Sequence, residues 1–202
     1  MPAEVPPHGE GRPRFEGSVF TGRSGEAPEF AGALVSDCTF RGCDLSGASL
    51  RGAHLTDCVF EGCELAVVDL ADALVQWTTF TDCRLTGVRF GDVRRDAIGL
   101  SVTLEGCDLT LASFRDLDLR NCGFRACNAR ECEFFACDLR EVDLSGTDLE
   151  AASFARVDLR KADLRGARNY VIDVCDNRVA GMRVDLPEAL GLLAALRVRL
   201  EG

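Results

Sequence analysis

Apolar residues return every five positions along most of this chain. Counting by fives from Phe30 to Phe90, all thirteen positions are apolar, and the same holds for thirteen positions from Leu104 to Leu164. Neither the 3.6-residue period of a helix nor the 2.0-residue period of a single strand produces that pattern. Call the recurring Leu or Phe position i. Small residues sit at i−2, among them Cys38, Cys43, Ala48, Ala53, Cys58, Cys63, Ala112, Cys122, Cys127, Ala152 and Ala162. Acids are frequent at i−1 (Asp44, Asp69, Asp138, Asp158), and glycine is frequent at i+2 (Gly42, Gly47, Gly52, Gly62, Gly146, Gly166). Residues two apart share a face of an extended segment, so i−2 and i point inward and i−1 outward. Glycine at i+2 supplies the positive φ of a tight corner. Each unit of five is thus a short side followed by a turn.

Phe20, Phe40, Phe60 and Phe80 are spaced 20 apart, as are Phe114, Phe134 and Phe154. That spacing predicts a coil of four units, with each phenylalanine set forming a column of touching rings. Units such as CDLSG, ASLRG, CDLRE, VDLSG and ADLRG resemble the pentapeptide-repeat family, A(D/N)LXX, over roughly residues 15 to 180. The resemblance implies an all-β fold, a right-handed quadrilateral β-helix. About eight coils at strand spacing give a rod on the order of 40 Å long.

Three segments stand apart from the repeat. Residues 1–14 are expected to be a flexible tail, 15–181 the solenoid, and 182–202 a C-terminal capping or dimerisation segment. Phe90 to Leu104 is 14 residues, one short of three units. This gap is either a one-residue deletion absorbed by a bulge or an inserted loop at 91–103, whose charged tip would carry Asp92, Arg94, Arg95 and Asp96. A loop of about that length would keep both phenylalanine sets in one column. Near the C-terminus, DLPEALGLLAAL reads as a short α-helix with Asp185 as N-cap and Glu188 completing a capping box. Leu186, Leu190, Leu193 and Ala194 form its apolar stripe, which caps the open solenoid end, forms a homodimer, or both. In the Qnr branch of the family, a similar leucine-rich terminal segment forms a two-fold dimer.

Eleven cysteines invite a metal or disulfide reading, most of all Cys122, Cys127, Cys132 and Cys137. Ten of the eleven occupy i−2, Cys175 being the exception. That regularity favours small buried hydrophobes, because four sides of one coil do not converge on a single ion. Stacked pairs such as Cys107/Cys127 come within disulfide reach, but parallel side-chain directions and a reducing compartment favour free thiols. No metal or cofactor is expected. His8 lies in the tail and His54 at an outward i−1 position with no orienting partner, so no enzyme is expected either. Trp77 at i+2 reads as an exposed ring, or as a protein contact.

The net charge of −10 disfavours nucleic acid as a ligand and leaves a basic protein surface open as partner. Asp118, Asp138 and Asp158 form a column at 20-residue spacing with Arg120, Arg140 and Arg160 beside it, a self-neutralising ladder. Between Gly52 and Cys83 stand Asp57, Glu61, Glu64, Asp69, Asp72 and Asp82 with no Lys or Arg. This is the most DNA-like stretch of the chain, or else a solvated acidic face. No apolar run approaches membrane length, and MPAEVPPHGEGRPRF lacks a signal peptide's apolar core, so a cytoplasmic protein with no membrane partner is expected. The resemblance extends to family members that bind type II topoisomerases, gyrase or topoisomerase IV, as DNA-shaped acidic rods. Those members protect the enzyme from quinolones, and relatives protect producers of gyrase-directed antibiotics. Ten charges along about 40 Å is about one per 4 Å, against about one per 1.7 Å in duplex DNA, so charge alone makes a weak mimic. The alternative is an interaction scaffold with a non-topoisomerase protein partner.

Overall fold

The computed structural model describes residues 11–22, 29–95, 99–186, 188–190, 192 and 196. The chain winds as an all-β parallel solenoid of about seven turns, the quadrilateral β-helix of the repeat. Its strands are β1 (Arg14–Glu16), β2 (Val19–Thr21), β3 (Leu34–Ser36), β4 (Thr39–Arg41), β5 (His54–Thr56), β6 (Val59–Glu61) and β7 (Leu74–Gln76). They continue as β8 (Thr78–Thr81), β9 (Val102–Glu105), β10 (Ser113–Arg115), β11 (Gly123–Arg125), β12 (Glu133–Phe135) and β13 (Ser153–Ala155). All pairing is parallel and in register: β1–β3–β5–β7 form one side, β2–β4–β6–β8–β9–β11 a second, and β10–β12–β13 part of a third. Isolated parallel bridges such as Asp44↔Glu64↔Arg84↔Asp108↔Asn128↔Asp148 mark the fourth.

The i residues fill the interior. Phe40 and Phe60 stack at 4.4 Å between ring centroids, and Phe60 and Phe80 at 4.8 Å. The second phenylalanine column runs Phe90, Phe114, Phe134, Phe154, with spacings of 4.7, 5.0 and 5.0 Å. It occupies a different side from the first, which continues through Leu104 and Phe124. Phe114 and Phe124, on two sides of one coil, meet edge to face at 86°.

The corners are of two kinds, and Cys122 and Cys132 share the alanine kind, with Cys122 N on Leu119 O (2.8 Å) and Cys132 N on Ala129 O (3.3 Å). At an alanine corner the i−2 amide closes a turn onto the carbonyl three residues back, as in Ala53 N to Leu50 O (2.9 Å) and Ala73 N to Leu70 O (2.9 Å). With positive φ at the third residue, as at Gly52 (65°), these are type II turns. At Cys43, Cys63, Cys83, Cys107 and Cys127 the thiol instead donates to the carbonyl 23 or 27 residues back, on the stacked coil: Cys63 Sγ to Phe40 O and Cys83 Sγ to Phe60 O are both 3.4 Å. A thiol there supplies a buried donor that alanine lacks. Ten cysteines are buried, Cys175 is exposed, and all are free. Burial, the largest cause in each, pushes Cys58 up to about 11 and Cys122 and Cys132 up to about 12.

The acids at i−1 have a local role. Asp69, Asp108, Asp118, Asp138, Asp143, Asp158 and Asp163 each accept the amide two residues on. This Asx turn steers the chain toward the next corner.

The break between Phe90 and Leu104 contains the one-residue deletion and moves the second phenylalanine column to another side, and it is not a loop over 91–103. Val93 N bonds Phe90 O and Arg94 N bonds Ala73 O, so the chain stays in the coil through Arg94. It re-enters at Leu100, where Ser101 N bonds Val75 O, and β9 already begins at Val102. Val93, Leu100 and Val102 are buried. Residues 91–94 and 100–103 therefore belong to the coil and not to a loop. One corner residue is then missing, because Val102 pairs with Thr78 and leaves Trp77 without a counterpart.

At the far end, Asp185 and Glu188 do not pair as a capping box. Asp185 Oδ2 accepts Gly166 N (2.8 Å) and Glu188 Oε2 accepts Asn169 N (3.1 Å). These amides lie just past the last stacked backbone pairing, Leu164 N to Arg183 O, and the carboxylates satisfy them. Glu188–Leu190 is a 3-10 turn, and Leu193 and Ala194 of the expected α-helix fall outside the described residues. No helix among the described residues is long and apolar enough to cross a membrane.

Candidate interaction surface

The solenoid carries outward chemistry at i−1, i+1 and the corners. Residues adjacent in sequence wrap around the rod, whereas residues 20 apart stack on one side. The six acids between Gly52 and Cys83 are therefore dispersed. Asp57, Asp72 and Asp82 are corner residues with φ of 54°, 57° and 51°, on three different edges. Glu61 lies on β6, Glu64 on the bridge-marked side and Asp69 on the side of the second phenylalanine column. The absence of Lys and Arg in the stretch is offset from the coils above and below. Arg41 pairs with Glu61 (2.7 Å), Arg84 with Glu64 (3.3 Å) and Arg51 with Asp69 (3.2 Å). No single acidic face results; Asp57, Asp72 and Asp82 have no ion pair among the described residues.

The ladder expected beyond the break is present, and tighter than sequence spacing suggested. Arg120, Arg140 and Arg160 each clamp the aspartate two residues back in bidentate fashion, with Nη2–Oδ2 distances of 2.6 Å in all three. Hydrogen bonds from these arginines hold Asp118 and Asp158 below the usual carboxylate range. Sequence reasoning missed two further carboxylates. Asp163 is held by Arg165 and Arg183 at 2.8 and 2.7 Å and lowered to about 2, chiefly by the Arg165 hydrogen bonds. Asp148, with a side chain only 4% exposed, sits between Arg130 and Arg168 at 3.0 and 3.2 Å. Both occupy i−1, and reading that column at 20-residue spacing would have found them.

The expected loop residues separate. Asp92 pairs with Arg89 (3.0 Å), Arg94 points to His54, Arg95 is exposed, and Asp96 lies outside the described residues. Arg12 and Arg94 bring Nη1 to within 2.7 and 3.3 Å of His54 Nε2. Partial burial and these two cations hold the imidazole below its ordinary pKa. His54 thus has partners, contrary to the sequence expectation; they come from 42 and 40 residues away, and a local motif search does not see them. Trp77 is 53% exposed at φ 48°, and Val67 and Leu111 are exposed at φ 49° and 62°. Large apolar side chains in the left-handed region are strained positions. Leu186 and Leu190 are exposed, and Leu192 packs on the core. Among the described residues no group of three His, Cys, Asp or Glu is arranged to hold a metal ion.

A family model described as "Pentapeptide repeat region" matches residues 33–96 and 97–168. This chain belongs to the pentapeptide-repeat family. Among solved structures, trypsin-treated QnrB1, a plasmid-mediated fluoroquinolone resistance protein, is similar at 19% identity. The match covers 93% of this pentapeptide-repeat chain and 100% of that one, with a TM-score of 0.63. HetL, a pentapeptide-repeat protein involved in heterocyst differentiation regulation from the cyanobacterium Nostoc, matches at 17% identity over 86% of this chain and 84% of its own, with a TM-score of 0.37. No curated protein matches the sequence.

Proposed function

We propose that this pentapeptide-repeat protein binds a type II topoisomerase as a rod-shaped mimic of DNA and protects it from quinolone-like or other gyrase-directed antibiotics. The observation that carries the reading is the fold shared along nearly the whole chain with a fluoroquinolone-resistance protein. A net charge of −10 on a rigid rod supports it, since a basic DNA-binding groove attracts such a surface. The arginine pairing of Glu61, Glu64 and Asp69 weakens the charge contribution, so shape and the corner residues Asp57, Asp72 and Asp82 carry more of it. The exposed Leu186 and Leu190 are the described part of a surface for a homodimer, which would double the rod's length.

Gyrase supercoiling with and without a fluoroquinolone tests this reading. Micromolar protein is expected to restore supercoiling in the presence of drug, or to inhibit it without drug. No effect in either arm sinks the proposal. The second reading is an interaction scaffold for a non-topoisomerase protein, and the dispersal of the acids around all sides of the rod favours it. A specific partner other than a topoisomerase, captured by the intact protein and lost with Trp77→Ala or Val67→Asn, would select it.

A further inference from the structure

One side of the rod carries a basic cluster in an otherwise acidic molecule. Its outward column reads Arg14, Leu34, His54 and Leu74 on β1, β3, β5 and β7, and Arg94 follows through its amide bond to Ala73 O. Arg12 reaches His54 from the β1 end, and Arg94 reaches it from the opposite end. Both therefore cross an apolar residue, Leu34 or Leu74, to arrive at one nitrogen.

The chemistry of that meeting is incomplete. A neutral imidazole Nε2 offers one lone pair, while each guanidinium carries five N–H donors. The unequal distances, 2.7 and 3.3 Å, fit two donors competing for one acceptor. No carboxylate among the described residues forms an ion pair with Arg12, Arg14, Arg94 or Arg95. Elsewhere nearly every described arginine has one, Arg156 excepted, which lies over the Phe135 ring. Two planar forks converging on a titratable ring, unopposed by an acid, are the donor set of an oxyanion site.

We propose that Arg12, His54 and Arg94 bind a phosphoryl group, that of inorganic phosphate or of a small phosphate monoester. The anion sits over the imidazole and accepts from both guanidiniums, and His54 takes up a proton to become the third donor. The neighbouring strands face His54 with uncharged Leu34, Ser36, Leu74 and Gln76. Arg14 and Glu16 on β1, Asp37 and Asp57 at the corner after this side, Asp72 and Asp92 at the corner before it, and Arg95 are the other charges on or beside this side. The site is independent of topoisomerase binding.

NMR of the histidine rings tests it in the full-length protein. The chain has only His8 and His54, so His54→Gln assigns the signals. Titration with sodium phosphate or glycerol phosphate at pH 7 is expected to shift the His54 ring saturably, whereas sodium chloride at equal ionic strength does not. Bound anion favours the imidazolium, so the His54 pKa should rise from below its ordinary value to above it. Arg12→Ala or Arg94→Ala should weaken phosphate binding by about tenfold or more, the loss of one charge-assisted contact. Arg120→Ala, in the paired ladder, should leave it unchanged. Tighter binding of glycerol phosphate than of phosphate identifies a monoester ligand, and the reverse identifies free phosphate. Equal shifts in chloride and phosphate, or undiminished binding by Arg94→Ala, overturn the proposal. Circular dichroism of each variant separates lost binding from lost fold.

Discussion

On the same side of the rod, positions occupied by Leu34, His54, Leu74 and Arg94 before the break are occupied by Asp118, Asp138 and Asp158 after it. The backbone is equivalent and the chemistry is opposite. After the break each aspartate is clamped by the arginine two residues on, and two are approached from a neighbouring coil, by Arg120 Nε to Asp138 Oδ2 (3.5 Å) and Arg178 Nη1 to Asp158 Oδ2 (3.7 Å). Before it, two arginines meet at an imidazole with no acid between them. A solenoid repeats its backbone exposure in every coil, so what differs along a side is only how outward residues pair with those 20 away. The second region is built to be closed electrostatically and the first is left open.

The largest expected effect tests whether the second region is the stable half. Phe134 is fully buried and stacked between Phe114 and Phe154. Phe134→Ala should cost about 3–5 kcal/mol in urea unfolding. A loss under about 1 kcal/mol would mean that the column relaxes and the comparison of rigidity fails. Acid should act on the same half. Asp163, lowered to about 2, contributes stability that is complete above its unfolded value near 3.8 and is lost as pH falls through the folded value. Asp118, Asp143, Asp148 and Asp158 are lowered as well. Hydrogen exchange at pH 3 should therefore show amides beyond Leu100 losing protection before those of β3 to β6, and Asp163→Asn should remove part of the difference. Uniform loss along the rod would contradict the concentration of lowered carboxylates beyond the break, where six stand against Asp44 and Asp69 before it.

The pattern of fives made the core legible, because a buried i residue in a four-sided coil has no alternative position. It also read the ten cysteines correctly as packing, though not why they are cysteine. The reason, a thiol donor reaching a carbonyl of the stacked coil, is for most of them a contact across 23 or 27 residues. The break was misjudged for an arithmetic reason. Phe80 and Leu104 stack although 24 residues apart, four more than a coil, and a count by fives records that only as one residue short at the corner beside Trp77. The acidic stretch failed through geometry: contiguous residues encircle the rod, and their neutralising arginines lie in adjacent coils. His54 was set aside for the same reason, although Arg14 and Arg94 stand 40 positions on either side of it.

The cysteines allow a finer test with a smaller effect. Under native conditions iodoacetamide at pH 8 should label Cys175 alone, and all eleven thiols once the protein is unfolded, counted by intact mass. Labelling of a second thiol in the folded protein would point to local opening, and its position would say in which half. Cys83→Ala removes a buried donor to Phe60 O and should cost about 1–2 kcal/mol. Cys83→Ser, which keeps a donor, should cost less.

The smallest expected change has the opposite sign. Val67 is a β-branched residue held at φ 49° on an exposed corner, 63% accessible, where neighbouring coils place Gly47 and Gly87. Its Cγ1 leans to within 3.1 Å of where a Cβ on Gly87 would lie, so the two corners are matched in size. Asparagine tolerates the left-handed region far better than valine. Val67→Asn should therefore raise stability by about 0.5–1 kcal/mol, read as a shift of the urea midpoint at constant slope. A gain would mean that the rod carries strain at an exposed apolar corner before the break for which its own folding gives no reason, the expectation for a contact residue. A loss would mean that Val67 packs usefully over Gly87, and this corner would then join the structural part of the rod.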